Sequence, residues 1–467
     1  MQVRMSLIPA VLVCVALGAV ASARQGPRWH DLTAAYTIEH YARDFARPYA
    51  GRPRHLAAEY DARAAIFAEN LATILRHNAA GRSWQMGVND FTDRSAAERR
   101  AVLGVRGAQL TSGGIPPPER NYTPYRAREL PDAVSWRYAV PAVLTAVKNQ
   151  GRCGSCWAHA AAQTIESQHA IATSRQANGS AADAELWVLS QQQITACTPN
   201  PNHCGGSGGC GGATAEAGIV QMAAMGGIAQ EWTNPYTAYF GDSGVCNGSY
   251  PYRVAKVTGY TKVAENSQAD LMNAIAFAGP PAVVVDASKW HFYESGVFDN
   301  CSYAHNVTIN HAVQATGYGR DAATGLHFWE IRNSWGGAWG ENGYIRMIRA
   351  TTDDCGWNVN PTVGNGCAGD TEPVWVCGTC AVAYDAIMSN PDLPQRETVP
   401  IYVNPPAPPL PAGAAATANK AGLVVGGAVL GSVLTGIAAV LLHLAAANRR
   451  RSREAEATKL LRSAEST

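Results

Sequence analysis

The chain has 467 residues, of which 47% are hydrophobic and 16% charged, with a formal net charge of +1. The hydrophobic share supports a real core, and the length allows two or three folded units plus tails. The charge is nearly balanced and shows no basic stripe, which argues against nucleic acid as a partner.

Residues 1–23 read as a cleavable secretory signal. Arg4 supplies a positive start, "LIPAVLVCVALGAV" an apolar stretch, and Ala21–Ala23 small residues for cleavage. Cys14 leaves with it. The other eleven of the 12 cysteines then enter an oxidising compartment, and an odd number predicts one unpaired thiol.

Residues 24–128 form a leader rich in Ala, Arg and Glu. Ile66, Phe67, Leu71, Ile74 and Leu75 recur at helical spacing, which predicts an amphipathic helix over 59–78. Glu59 and Arg63, four apart, suit an intrahelical ion pair. Glu59, Arg63, Phe67, Asn70, Ile74 and Asn78 also fall at E-x3-R-x3-F-x2-N-x3-I-x3-N, and "GVNDFTD" adds Gly87, Asn89, Phe91 and Asp93. These offsets resemble the paired propeptide motifs of cathepsin L-like cysteine proteases. The resemblance implies a small helical domain whose tail runs backwards through the active cleft and blocks it. The chain would then be a zymogen, with its own propeptide as inhibitor. Protonation of carboxylates such as Asp93 is expected to loosen it in acid. The mature chain is expected to begin near Glu129 or Leu130.

"NQGRCGSCWAHA" follows, with Cys153 and Cys156 three apart. A redox pair fits the spacing but lacks a βαβ context. A zinc knuckle needs a second ligand pair at matching spacing, for which other cysteines exist, whereas "GSCWAHA" has the look of a loop entering a helix. A nucleophile needs a distant His, an orienting Asn and an oxyanion donor. "TINHAVQATGYG" supplies His311, "EIRNSWGG" supplies Asn333, and Gln150 stands six residues before Cys156.

The order Gln150, Cys156, His311, Asn333, with "LSQQQITAC" and "NSWGGAWGENGYIR", resembles the papain and cathepsin family. The likeness runs from about Trp29 to Thr362. It implies an α+β, papain-like two-lobe fold over 129–365: a helical lobe and a twisted β-barrel-like lobe, preceded by the helical propeptide domain. A helix after Cys156 and another around 213–225 would build the first lobe. "YRVAKVTGYTKV", "PAVVVDAS", "HAVQATGYG" and "GYIRMIR" read as strands of the second. Cys156 is expected to act as a thiolate beside the His311 imidazolium, favoured by a helix N-terminus. Asn333 would orient His311, with Trp335 and Trp339 shielding that contact. The Gln150 side chain and the Cys156 amide would hold the oxyanion.

By the same resemblance, polypeptide substrates lie along Gly211 and Gly212, where glycine permits close approach. A second specificity pocket is lined by Ala215, Ile309, Ala312 and Asn360, with Trp339 also on the substrate side. It carries no acidic residue, so an apolar preference is expected. "GCGGA" departs from the family's usual G-C-N-G-G, which makes the geometry at Ala213 a question. His159 stands where an aromatic residue is usual and is read as structural. The implied disulfides are Cys153–Cys210, Cys197–Cys246 and Cys301–Cys355. Cys204, Cys367, Cys377 and Cys380 are left for two more, of unreadable connectivity. No metal and no cofactor are implied.

Residues 366–390 read as a Cys-containing extension and 391–420 as a proline-rich stalk. Residues 421–447 contain no Asp, Glu, Lys or Arg and are long enough to span a bilayer. "NRRRSR" follows, which places 448–467 in the cytosol. "EATKLL" in that tail resembles an acidic dileucine sorting signal. Asn121, Asn178, Asn247 and Asn306 head glycosylation sequons. The expectation is a membrane-tethered cysteine endopeptidase zymogen of the endosomal or lysosomal system. The alternatives are a catalytically inactive homologue that binds or inhibits, and a thiol–disulfide oxidoreductase using Cys377 and Cys380.

Overall fold

The computed structural model describes residues 26–49, 57–103, 129–176, 185–248, 250, 253–301, 307–350, 354–364 and 366–393. The signal segment, most of the stalk, residues 421–447, the tail, and Asn121, Asn178 and Asn306 lie outside these residues. Among the described residues no helix is long and apolar enough to cross a membrane.

The leader folds as α1 (Ile38–Asp44), α2 (Ala57–Ala79), β1 (Trp84–Met86) and α3 (Ala96–Ala101). The Thr37 and Ser95 side chains cap α1 and α3, each with a reciprocal contact three residues on. Phe67 and Ile74 of α2 are buried with Tyr41, Trp84 and Phe91, in the same apolar cluster as the sheet behind them. Asn78 exchanges two 2.8 Å bonds with the Met86 backbone, and Asn70 donates to Thr92 O at 2.9 Å. The Asp93 carboxylate accepts from Tyr41 and Tyr49 and pairs with Arg47 at 3.1 Å. The expected Glu59–Arg63 pair is corrected here. Arg63 turns toward the motif loop, and its fork meets the two oxygens of Glu98, each at 2.7 Å. The reason is geometric: a planar guanidinium matches a carboxylate bidentately, which a neighbour one helical turn away does not offer as well.

The body follows with β2 (Val134–Ser135), α4 (Cys156–Gln176), α5 (Gln191–Cys197), α6 (Ala215–Ala224), β3 (Ile228–Ala229), β4 (Arg253–Ala255), β5 (Val257–Lys262) and α7 (Gln268–Asn273). Then come β6 (Ala282–Val285), β7 (Tyr293–Phe298), β8 (His311–Arg320), β9 (His327–Arg332), β10 (Tyr344–Ile348), β11 (Cys355–Asn358), β12 (Val374–Cys377) and β13 (Ala386–Pro391). The main sheet runs β1-β7-β10-β9-β8-β6-β13-β5, with β2 paired to β8. This is the α+β, two-lobe arrangement: Trp157, Ala161, Ile165, Ile194, Ile219 and Met222 pack α4, α5 and α6 together, while Tyr293, Val313, Trp329 and Ile345 fill the sheet side. Gly218 of α6 lets the helices close up, since a Cβ there would sit 2.9 Å from Ile194 and 3.2 Å from Ala161.

The two lobes meet through polar groups as well. Arg332 is fully buried and donates to Thr145 O, Ala146 O and the Gln314 side chain. Gln314 reaches Gln163 O and Ser167 on α4, and Glu166 of α4 accepts from Thr145, Lys148 and the Leu189 amide. Most donors in this network find an acceptor, as burial of such groups requires, with Arg332 Nε the exception among the described residues.

Cys153–Cys210 and Cys197–Cys246 are disulfides, and Cys156 is the free cysteine among the described residues. The expected Cys301–Cys355 pair does not form. Cys301 bonds Cys380, and Cys355 bonds Cys377. The cause is the β11–β12 hairpin, which sets Cys355 directly opposite Cys377. The C-x-x-C pair is thereby split between two partners, which removes the dithiol an oxidoreductase would need. Cys204 bonds Cys367. Residues 366–390 are no appended extension either: β13 lies in the main sheet between β6 and β5.

Candidate active site

Cys156 is the first residue of α4, buried, at the positive end of the helix dipole. His311 opens β8 in the other lobe, and Asn333 follows β9 directly. The antiparallel pairing of β8 with β9 sets Gln314 opposite Arg332 and so carries Asn333 back to His311. His311 Nε2 lies 2.8 Å from Asn333 Oδ1. That oxygen also accepts from the Ser334 amide at 2.8 Å, so Nε2 is the protonated nitrogen. His311 Nδ1 is buried without a partner among the described residues, and Cys156 and His311 line the same pocket. The Trp335 ring lies 5.0 Å from the His311 ring and covers it.

Gln150 is fully buried and held at both ends. Its Oε1 accepts from Ser334 Oγ at 2.6 Å, and its backbone carbonyl accepts from Tyr236 OH at 3.0 Å. Its side-chain amide donates to Cys153 O and, at 2.7 Å, to Val102 O of the leader. The next leader carbonyl, Leu103 O, lies 4.0 Å from Cys156 Sγ. The leader therefore lays two peptide carbonyls over the thiol and its neighbouring donor. Phe91 packs edge-on against Trp335 at 5.0 Å, and Asn89 donates to His291 O at 2.7 Å. Gly87 donates its amide to Phe292 O.

This covering sets the charge state. Burial pushes the Cys156 thiol up to about 11, and burial lowers His311 to about 4 against the raising effect of Asn333. Burial in the closed form thus works against the ion pair that the sequence led us to expect. The expectation belongs to the uncovered site, in which solvent returns to both groups. Burial likewise lowers His159 to about 3; its Nδ1 is bonded to Ser155 O at 2.9 Å and its ring stands edge-on to Tyr236. That is a structural position.

Of the expected substrate-side residues, Ala215, Ile309 and Ala312 line one pocket with Cys156, joined by Ala213, Val284 and Leu103, and no acidic side chain lines it. Gly211 and Gly212 do not offer the expected edge. Their carbonyls accept from Ser207 N and Gly208 N, and their amides donate to Gly208 O and Gly209 O. Ala213 takes the place beside them, without a positive φ, so the departure from the family's glycine costs no backbone strain. Trp339 is also corrected. It is buried behind Trp335, 5.1 Å between rings, with Nε1 on His291 O, and lines no part of the pocket. Asn360 is exposed, and Gly364 lines the pocket in its stead. Asn247 is exposed beside Cys246. Val284, Gly205, Gly364 and His291 carried no motif. Only the alternation in "PAVVVDAS" pointed toward Val284.

A family profile described as "Papain family cysteine protease" matches residues 130–364, and one described as "Cathepsin propeptide inhibitor domain (I29)" matches 39–98. "Cysteine protease 1" of Oryza sativa subsp. japonica is 36% identical over 64% of this chain, and the chain spans 58% of that relative's length. "Cathepsin L-like proteinase" of Fasciola hepatica is 35% identical over 60% of this chain and 79% of its own length. The solved structure of recombinant stem bromelain precursor superposes with a TM-score of 0.56 at 29% identity, covering 76% of this chain and 98% of that one. With the free thiol on its helix, the histidine held by an asparagine and the leader across both, the chain belongs to the papain family of cysteine proteases.

Proposed function

We propose that the chain is a cysteine endopeptidase made as a membrane-tethered zymogen of the endolysosomal system. One observation carries the peptidase reading: the leader's Val102 carbonyl accepts from the Gln150 side-chain amide while the Leu103 carbonyl faces Cys156. A peptide carbonyl already occupies the place where a substrate carbonyl would react.

With the leader gone, Cys156 passes its proton to His311 Nδ1 and attacks the scissile carbonyl carbon. Gln150 and the Cys156 amide stabilise the oxygen as it gains charge. His311 returns the proton to the leaving amine, and the new amino terminus departs. Water then adds to the thioester, losing its proton to His311, and the acid is released with the thiolate restored. The pocket formed by Ala215, Val284, Ile309 and Ala312 favours an apolar side chain. The tether and compartment rest on the apolar segment 421–447, the basic residues after it and the "EATKLL" tail.

The test is labelling with a small epoxide probe in cells making the full chain, at acidic and neutral pH, followed by alkaline extraction of membranes. Label on Cys156, absent in Cys156→Ala and retained with the membranes, is the expected result. An unlabelled Cys156 at both pH values would remove the peptidase reading, and full-length chain wholly in the supernatant would remove the tether.

A further inference from the structure

The walls of the candidate cleft are joined at one end. The pocket beside Cys156 has Ala213 and Ala215 on the helical wall and Val284 and Ile309 on the sheet wall. Gly205 and Gly364 line it too, from the loops that follow α5 and β11. Gly205 lies so close that an added Cβ would be 2.8 Å from both Ala213 O and Gly364 O. At Gly364 an added Cβ would be 2.0 Å from Ile309 O. Backbone thus touches backbone from the helical wall, through Gly205 and Gly364, to the sheet wall, with no room for a methyl group.

The crossing is fastened on the far side. Cys204 is bonded to Cys367, Gly205 N donates to Gly366 O at 2.9 Å, and Ala368 N donates to Asn202 O at 3.0 Å. Both partners are anchored in turn. Asn200 holds Cys204 O and Gly206 O through its side-chain amide, and Gly366 N donates to Pro361 O. A covalent tie with two flanking backbone bonds makes a fixed strap, not a loop resting on the surface.

The strap's position relative to the scissile bond follows from the chemistry. His311 must protonate the leaving amine, and Trp335 covers His311 on the flank where the leader's Phe91 enters. Gly205 and Gly364 line the pocket beside Cys156 while Trp335 and Phe91 do not, so the strap lies away from that flank, on what would be the acyl side. An extended substrate advances about 3.3 Å per residue with side chains alternating in direction. In this binding mode the residue bonded to Cys156 stays outside the pocket and the one before it fills the pocket with its side chain. A third residue in the same direction meets Gly205 and Gly364.

We propose that the Cys204–Cys367 strap ends the acyl side of the cleft after two residues, so the enzyme acts best on peptides with two residues before the scissile bond. This rests on the peptidase reading above and narrows it to substrates that end, or turn out of the groove, at that point.

The test uses the activated full chain with fluorogenic amides carrying two, three or four residues, the last two being Phe-Arg throughout. The expected result is a kcat/KM at least tenfold lower for three and four residues than for two. Equal or rising kcat/KM with length would overturn the inference. In Cys204→Ser/Cys367→Ser, checked for folding by its melting curve, the penalty on longer substrates is expected to shrink severalfold with the two-residue rate kept. An unchanged penalty in the folded variant would overturn the assignment to the strap, and the wild-type series decides the matter if that variant does not fold. No hydrolysis of even the two-residue amide, with Cys156 unlabelled by iodoacetamide, would instead overturn the peptidase reading and this inference with it.

Discussion

In the proposed mechanism, Gln150 is the residue on which catalysis and inhibition meet. There its amide faces the reacting carbonyl, and in the closed form it holds Val102 O. Replacing it by Ala removes one oxyanion donor, for which a loss of about 100- to 1,000-fold in kcat is expected. The same change deletes a bond to the leader, so the purified proenzyme should also be inhibited less tightly. Steady-state kinetics on activated enzyme and titration with added leader check the two halves. A variant with unaltered kcat would show that the amide faces some other part of the reaction. Gln150 itself was legible in the sequence because "QGRCGSCW" is a contiguous motif. Its supports, Ser334 and Tyr236, were not, since 184 and 86 residues separate them from it along the chain.

At the scale of elements, the leader's contact with the β6–β7 connection is expected to carry the pH response. His291 Nε2 lies 3.0 Å from Arg99 O of the leader, and its ring stacks on Trp335 at 5.1 Å with Phe91 edge-on. Burial lowers it to about 3, with the Arg99 charge from the leader and His311 from β8 acting the same way, against the raising effect of the bond to Arg99 O. A base depressed in the closed form gives stability that is full above its free value of about 6.5 and lost as pH falls toward 3. His311, at about 4, adds in the same window. The Glu98 carboxyl behaves differently: the Arg63 guanidinium holds it at about 2, so that contact survives pH 3 to 6. The leader should therefore loosen first at its seam with the body, while its own fold persists. For wild type we expect leader affinity to fall by up to about tenfold per pH unit for each such histidine below pH 6.5. His291→Leu should flatten that slope by one proton and move half-activation to lower pH. Identical activation profiles of wild type and variant would refute the role of His291. The sequence pointed to Asp93 for this response. Asp93 lies inside the leader, where Tyr41, Tyr49 and Arg47 bind it, and not at the seam.

For the whole molecule, the two lobes depend on buried polar groups as much as on apolar packing. Arg332 bonds the backbone that leads to Gln150 and stands next to Asn333. Arg332→Met keeps the volume but strands the Thr145, Ala146 and Gln314 oxygens, which should lower stability by on the order of 3 kcal/mol. A chemical melt with an unchanged midpoint would contradict that account. The cluster of Gln150, Cys156, His311 and Asn333 and the leader were readable in advance because each is carried by a short motif whose spacing reflects one helix or one strand end. Helix α4 and strands β6, β8 and β10 were readable for the same local reason. What could not be read were contacts between distant segments: Cys301 with Cys380 instead of Cys355, β13 inserted in the sheet, Gly211 and Gly212 saturated by their own loop, and Cys204 with Cys367. Each depends on where chain segments up to 163 residues apart come to lie. Such closures are fixed by packing of the complete fold, whereas a local pattern records only what neighbouring residues do to one another.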